Sequence, residues 1–191
     1  MTTRHDGREG GAFAVLQSVA DWVAVAATWA AAACLTLLLV MVLCEILVGI
    51  LSRLSPSFPS SIGFAWEYSA YLMGAAFMLG SGLALRAGMH VRVELLIAAG
   101  GRRYARHLEL VSAGIGTAFT MLLAWSMIGF ALQSYSYDQR SPESYTPLWI
   151  PQSALAIGAA VLALQMLVRL VACLLDRPAE DKAFGVATLP E

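Results

Sequence analysis

Charged residues are missing from four long stretches of this chain, residues 22–44, 68–85, 110–137 and 144–168, which run for 23, 18, 28 and 25 residues. A bilayer core of roughly 30 Å needs about 20 helical residues to cross it. In lipid every backbone N–H and C=O must be satisfied within the segment, so such runs read as helices. Nearly all the charge lies between them. The pattern predicts an all-α integral membrane protein with spans at about 22–50, 66–86, 108–136 and 148–174, making a membrane domain over 22–175.

The flanks are short. Residues 1–21 form an N-terminal segment in which 10–21 read as a surface helix, with Phe13, Leu16 and Val19 facing lipid. A cleaved signal peptide fits less well. The apolar piece near Arg4 and Arg8 is interrupted by Gln17 and Ser18, and the next one is too long for a signal core. Loop one (about 52–65) is rich in Ser and Pro, loop two covers about 86–107, and loop three about 138–147. Residues 176–191 read as a mobile tail.

In loop two, residues 91–95 alternate apolar and charged, as a short strand would. An unpaired strand edge at membrane depth is costly, so a short interfacial helix between spans two and three is expected there, with Gly100 and Gly101 breaking it. The basic group Arg102, Arg103 and Arg106 follows.

Lys and Arg then set the orientation. Ten of the twelve lie in the two terminal segments and loop two, whereas loops one and three hold only Arg53 and Arg140. The positive-inside rule places both termini and loop two in the cytoplasm. Trp66, Tyr68 and Tyr71 mark the opposite interface together with Tyr135, Tyr137, Tyr145 and Trp149. Small residues recur every fourth position at Ala76, Gly80, Ala84 and Gly88, and again at Ser112, Gly116, Thr120 and Ala124. Such stripes let helices approach closely.

Composition narrows the function. The chain is 59% hydrophobic and 13% charged, about half the charge of a soluble domain. No basic patch interleaved with aromatics is present, which sets nucleic acid aside. Cys34, Cys44 and Cys173 are widely spaced, read as small apolar side chains, and suggest neither disulfide nor zinc.

Ionisable groups inside spans usually mark pathways. Here the span centres near Leu35, Ala76, Met121 and Ala160 have no acid, base or histidine close by. Glu45 lies toward the end of the first span, and Glu67 opens the second, where a carboxylate suits the helix dipole. Arg53 lies between them in sequence and offers an ion-pair partner to either. A fold-stabilising pair at the interface outweighs an ion-binding role. His90 and His107 belong to loop two, outside any position suited to an intramembrane haem. No phosphate loop, nucleophile elbow or broken span occurs. An accessory or scaffold subunit is favoured over a pump or an enzyme.

The run W-E-Y-S-A-Y-L-M-G-A-A-F from Trp66, followed by L-R-A-G-M-H-V-R-V-E-L-L from Leu85, resembles the small membrane subunit of tripartite ATP-independent periplasmic (TRAP) transporters. The matching positions are Glu67, Gly74, Ala75, Arg86, Gly88, His90, Val91, Val93 and Glu94. Arg53 and the T-P-L-W-I-P segment from Thr146 extend the likeness, which covers about residues 20–175. Glu94 departs mildly from the usual Asp.

The resemblance implies a multi-pass protein of the bacterial inner membrane. Its partners would be a large permease subunit, which carries the substrate and sodium sites, and a soluble periplasmic protein that delivers an organic acid. The small chain itself would hold no cofactor, metal or substrate. Glu45, Arg53, Glu67, Arg86, His90, Arg92 and Glu94 would be structural or interface residues, with Arg102, Arg103 and Arg106 at the lipid headgroups. The competing readings are a stand-alone four-helix transporter, for which Glu45 is the only embedded carboxylate, and an anchor subunit of another complex.

Overall fold

The computed structural model describes residues 6–55, 59–86 and 94–175, with the side chains of 6–12, 86, 94–106 and 108 outside the description. Four helices account for most of it: α1 (Asp6–Leu54), α2 (Ala65–Arg86), α3 (Glu94–Ser136) and α4 (Trp149–Leu174). All four are long and apolar enough to cross a membrane. The all-α reading holds, and no strand occurs among the described residues.

Lengths depart from expectation at two starts. α1 has 49 residues and α3 has 43, about 74 and 65 Å of helix at a rise near 1.5 Å per residue. The helix expected over 10–21 is therefore the beginning of α1, and the interfacial helix expected within loop two is, from Glu94 on, the beginning of α3. Gly100 and Gly101 do not break the chain. Each glycine weakens a helix by only about 1 kcal/mol, and the helix runs on through them.

Helix ends follow local chemistry. α1 stops two residues before Pro56, which cannot continue it, and Arg53 sits in its last turn facing the negative end of the dipole. α3 closes in a Schellman motif, in which the Asp138 N–H bonds the Tyr135 carbonyl and the Gln139 N–H bonds that of Ser134. Asp138 takes the left-handed position at φ 44° that glycine usually fills. In α4, Pro151 falls in the first turn, where a missing N–H costs nothing.

Packing does not form a closed ring. α4 touches the three other helices, α1 and α2 touch each other, and α3 packs on α4 alone among the described residues. Three apolar clusters mark these seams. Ala27 and Ala31 of α1 meet Ala75, Leu79 and Val161. Phe13 and Ala20 meet Val168 and Ala172. Ala124 meets Ala159 and Ala163. The core is largely alanine, because close backbone approach and dispersion replace hydrophobic expulsion inside lipid.

Small residues set the distances. A Cβ on Gly158 would lie 2.7 Å from the Met78 backbone and 2.9 Å from Leu79 N, so α2 and α4 cross nearly backbone to backbone there. Gly82 faces Val161 at 2.9 Å and Gly74 faces Leu155 at 3.3 Å, both across the same seam. The expected stripe on α2 is divided: Gly80 looks toward Ala31 of α1, while Gly88 lies outside the described residues. On α3 the packed face is Ala113, Thr117, Thr120 and Ala124, with Ser112 exposed.

Candidate functional site

The polar residues with tertiary partners gather in two places. At the end carrying loops one and three, carboxylates from α1 and α2 hold the loops down. Glu45, half-buried on α1, accepts the Ile62 backbone N–H at 2.9 Å through Oε2. That N–H precedes α2 and has no helical acceptor, so Glu45 fixes loop one just before the second span begins.

Glu67 does the same for loop three. Its Oε1 accepts the Tyr71 hydroxyl at 2.5 Å. Its Oε2 is buried without a partner of good geometry, while the Ser141 and Ser144 hydroxyls and the Ser144 N–H lie against the same carboxylate. Ser144 and Thr146 share a hydroxyl bond of 2.6 Å, and Thr146 in turn meets the Tyr68 hydroxyl at 2.8 Å. Loop three is itself tightly folded. Arg140 and Pro147 form an antiparallel bridge, Ser141 N–H bonds the Thr146 carbonyl, and Tyr145 adopts φ 54°. Buried Ser134 donates to Gln139 Oε1 at 3.0 Å. Since α2 and α3 do not pack together, this clamp is what ties α2 to the α3–α4 connection.

The second place lies between the helices. Thr117 of α3 donates to the Met166 carbonyl of α4 at 3.1 Å while keeping a 2.7 Å bond to its own Ala113 carbonyl. On the other side of α4, Gln165 Nε2 donates to the Ala20 carbonyl of α1 at 2.5 Å. Further toward the chain termini, Arg169 and Glu109 approach at 3.9 Å, partly exposed, a pair of small energetic weight.

Arg53 is exposed and forms no ion pair with Glu45 or Glu67, so the expected pairing is corrected. Backbone and tyrosine donors already occupy the two carboxylates, and a long arginine on the outer turn gains more from water. Arg86 ends α2 and Glu94 opens α3, and Arg102, Arg103 and Arg106 lie along α3, all with side chains outside the described residues. His90 and Arg92 lie outside them altogether. Sequence reasoning missed Tyr71, Ser141, Ser144, Thr146, Thr117 and Gln165, because it searched for charge. A glutamine inside a charge-free span was the available signal.

No group of three or more His, Cys, Asp or Glu among the described residues could hold a metal. The arrangement joins helix to helix and loop to helix. The profile of the DctQ component of tripartite ATP-independent periplasmic transporters matches residues 42–176, from the second half of α1 to the end of α4. The chain belongs to the DctQ family.

It is thus a component of TRAP transporters, with four helices long and apolar enough to cross a membrane. The chain is 27% identical over 108 residues to the C4-dicarboxylate TRAP transporter small permease protein DctQ of Rhodobacter capsulatus, covering 56% of this chain. It spans about half the length of that relative, 48%. No solved structure matches it.

Proposed function

We propose that this DctQ-family chain is a scaffold subunit of the bacterial inner membrane. It supports a large permease subunit in the sodium-driven uptake of an organic acid that a periplasmic protein delivers. The ten-to-two bias of Lys and Arg supports termini in the cytoplasm and clamped loops on the periplasmic side. Sodium and substrate belong to the large subunit, and this chain needs no cofactor.

One observation carries the reading. The middle of the bundle has no acidic, basic or histidine side chain, and Thr117, Thr120 and Gln165 direct their donors at helix carbonyls. A carrier of organic anions needs positive charge or open helix ends at that depth. The name of the Rhodobacter relative makes C4-dicarboxylates the first substrates to try.

The test is uptake into proteoliposomes under a sodium gradient. The chain alone should behave as empty vesicles do, and adding the large subunit and binding protein should give sodium-dependent uptake. Glu45→Gln in the assembled system should reduce yield or thermal stability and leave the sodium dependence unchanged. Accumulation of substrate by the chain alone would overturn the proposal. Orientation is tested separately with Ser60→Cys, Glu143→Cys and His107→Cys in a cysteine-free background. An impermeant thiol reagent on cells with a permeabilised outer membrane should label the first two and spare the third.

A further inference from the structure

α3 packs on α4 alone among the described residues, so most of its circumference is open. That open side carries something the other open faces lack. The outer half of α1 exposes Leu35, Leu39 and Ile46, and α2 exposes Met73 and Phe77, side chains that lipid tails satisfy. On α3, Trp125 is 79% exposed, and its indole N–H has no partner among the described residues. Along the span Glu109–Ser136 it lies about 24 Å from the first residue and about 16 Å from the last. Helical side chains lean toward the helix start, here away from the nearer end, so the indole reaches neither headgroup layer. The other tryptophans have that escape. Trp66 and Trp149 stand in the first turns of α2 and α4, and Trp22 adjoins Asp21. Trp29, beside the Ala31–Gly80 contact, is within two turns of the Arg86 end of α2 and leans toward it. An indole N–H left unpaired in hydrocarbon is costly, and such groups normally find an acceptor.

Two neighbours share the Trp125 face. Ser126 is exposed and its hydroxyl makes no hydrogen bond among the described residues. Thr28, Thr36, Ser81 and Ser153 instead return theirs to a carbonyl of their own helix. Gly129, one turn beyond Trp125, has nothing within 4 Å of where a Cβ would stand. A projecting indole beside an open notch is the relief into which a second helix packs. We propose that this face of α3, formed by Trp125, Ser126 and Gly129, receives a transmembrane helix of the large permease subunit. That helix presents a hydroxyl or amide oxygen opposite the Trp125 N–H and seats a bulky apolar side chain in the Gly129 notch. The assignment rests on the proposed role beside a large subunit, which must lie against some membrane face of this chain. Lipid alone serves the α1 and α2 faces, but on α3 it leaves donors unmet.

Two measurements on the chain co-expressed with its large subunit test it. A photo-crosslinking phenylalanine analogue is placed singly at Leu122, Ser126 or Leu132 on this face, and at Leu39 or Phe77 as controls. Irradiated membranes should yield a product joining this chain to the large subunit from the three α3 positions and not from the controls. Products confined to Leu39 or Phe77 would overturn the assignment, and so would a product from α3 that joins two copies of this chain. If no large subunit copurifies, the proposed scaffold role fails and this face with it. An intact complex without α3 products defeats the face alone. The second measurement is the thermal midpoint of Trp125→Phe, which keeps an aromatic ring and removes the N–H. The complex should lose a few degrees while the isolated chain in detergent is unchanged. An unchanged complex, or an equal loss in both, refutes the interfacial hydrogen bond.

Discussion

α4 is crossed by α2 on one side and by α3 on another, and the two seams are built by different means. Against α2 the limiting contacts are main chain: a Cβ on Gly158 meets Met78 and Leu79 backbone atoms that cannot swing aside. Against α3 the corresponding glycine, Gly116, faces the tip of the Met166 side chain, which can move to another rotamer. The α3 seam is held instead by the Thr117 hydroxyl reaching the Met166 carbonyl. Two glycines in similar settings therefore carry unequal constraint. What lies opposite decides, and the sequence pattern around them does not reveal it.

The largest effect expected is at the first seam. Gly158→Ala should force α2 and α4 apart and destabilise the bundle by about 2 kcal/mol, even after a gain in helix propensity. Thermal unfolding in detergent should register it, and a neutral result would remove the contrast altogether. Next comes the clamp that links α2 to loop three. Glu67→Ala should cost about 1–2 kcal/mol and raise the proteolytic sensitivity of loop three, whereas Glu67→Gln should retain part of the stability. Unchanged protection in the alanine variant would mean that loop three folds without α2.

Smaller changes sharpen the second seam. Thr117→Val keeps the shape and removes the hydroxyl, and should cost about 0.6 kcal/mol, as interhelical hydrogen bonds in membranes usually do. Gly116→Ala should stay within about 1 kcal/mol of the parent in either direction, as the methionine yields and the helix gains propensity. A loss at Gly116 as large as that at Gly158 would show that Met166 is fixed, and the two seams would then be alike.

Hydropathy made the four helices legible, together with three of their ends at Arg86, Ser136 and Leu174. It did not reveal that α1 and α3 begin far outside the charge-free runs. Glycines and charges were read there as boundaries, although a helix projecting from lipid tolerates both. The stripes of small residues were visible, but the partner of each was not. Gly158, the point of closest backbone approach, belongs to a helix whose stripe went unnoticed among its alanines.

At the site, Glu45 and Glu67 stood out because carboxylates are rare here, yet their partners are a backbone amide in loop one and hydroxyls in α2 and loop three. Serine and tyrosine near an interface are too common to announce such a role. Arg53 drew attention by charge alone, and charge does not report reach.

The order of helices along the chain gives the packing a meaning in time. α1 and α2 can pair as soon as both have left the ribosome. α3 meets no helix of this chain until α4 has followed it into the membrane, since α4 is its one contact among the described residues. Throughout the synthesis of loop three and α4, the hydroxyl-bearing face of α3 stands in lipid without a mate. A pause or premature stop before α4 is complete would leave a hairpin and a solitary span. That is the kind of orphan that membrane quality-control proteases remove.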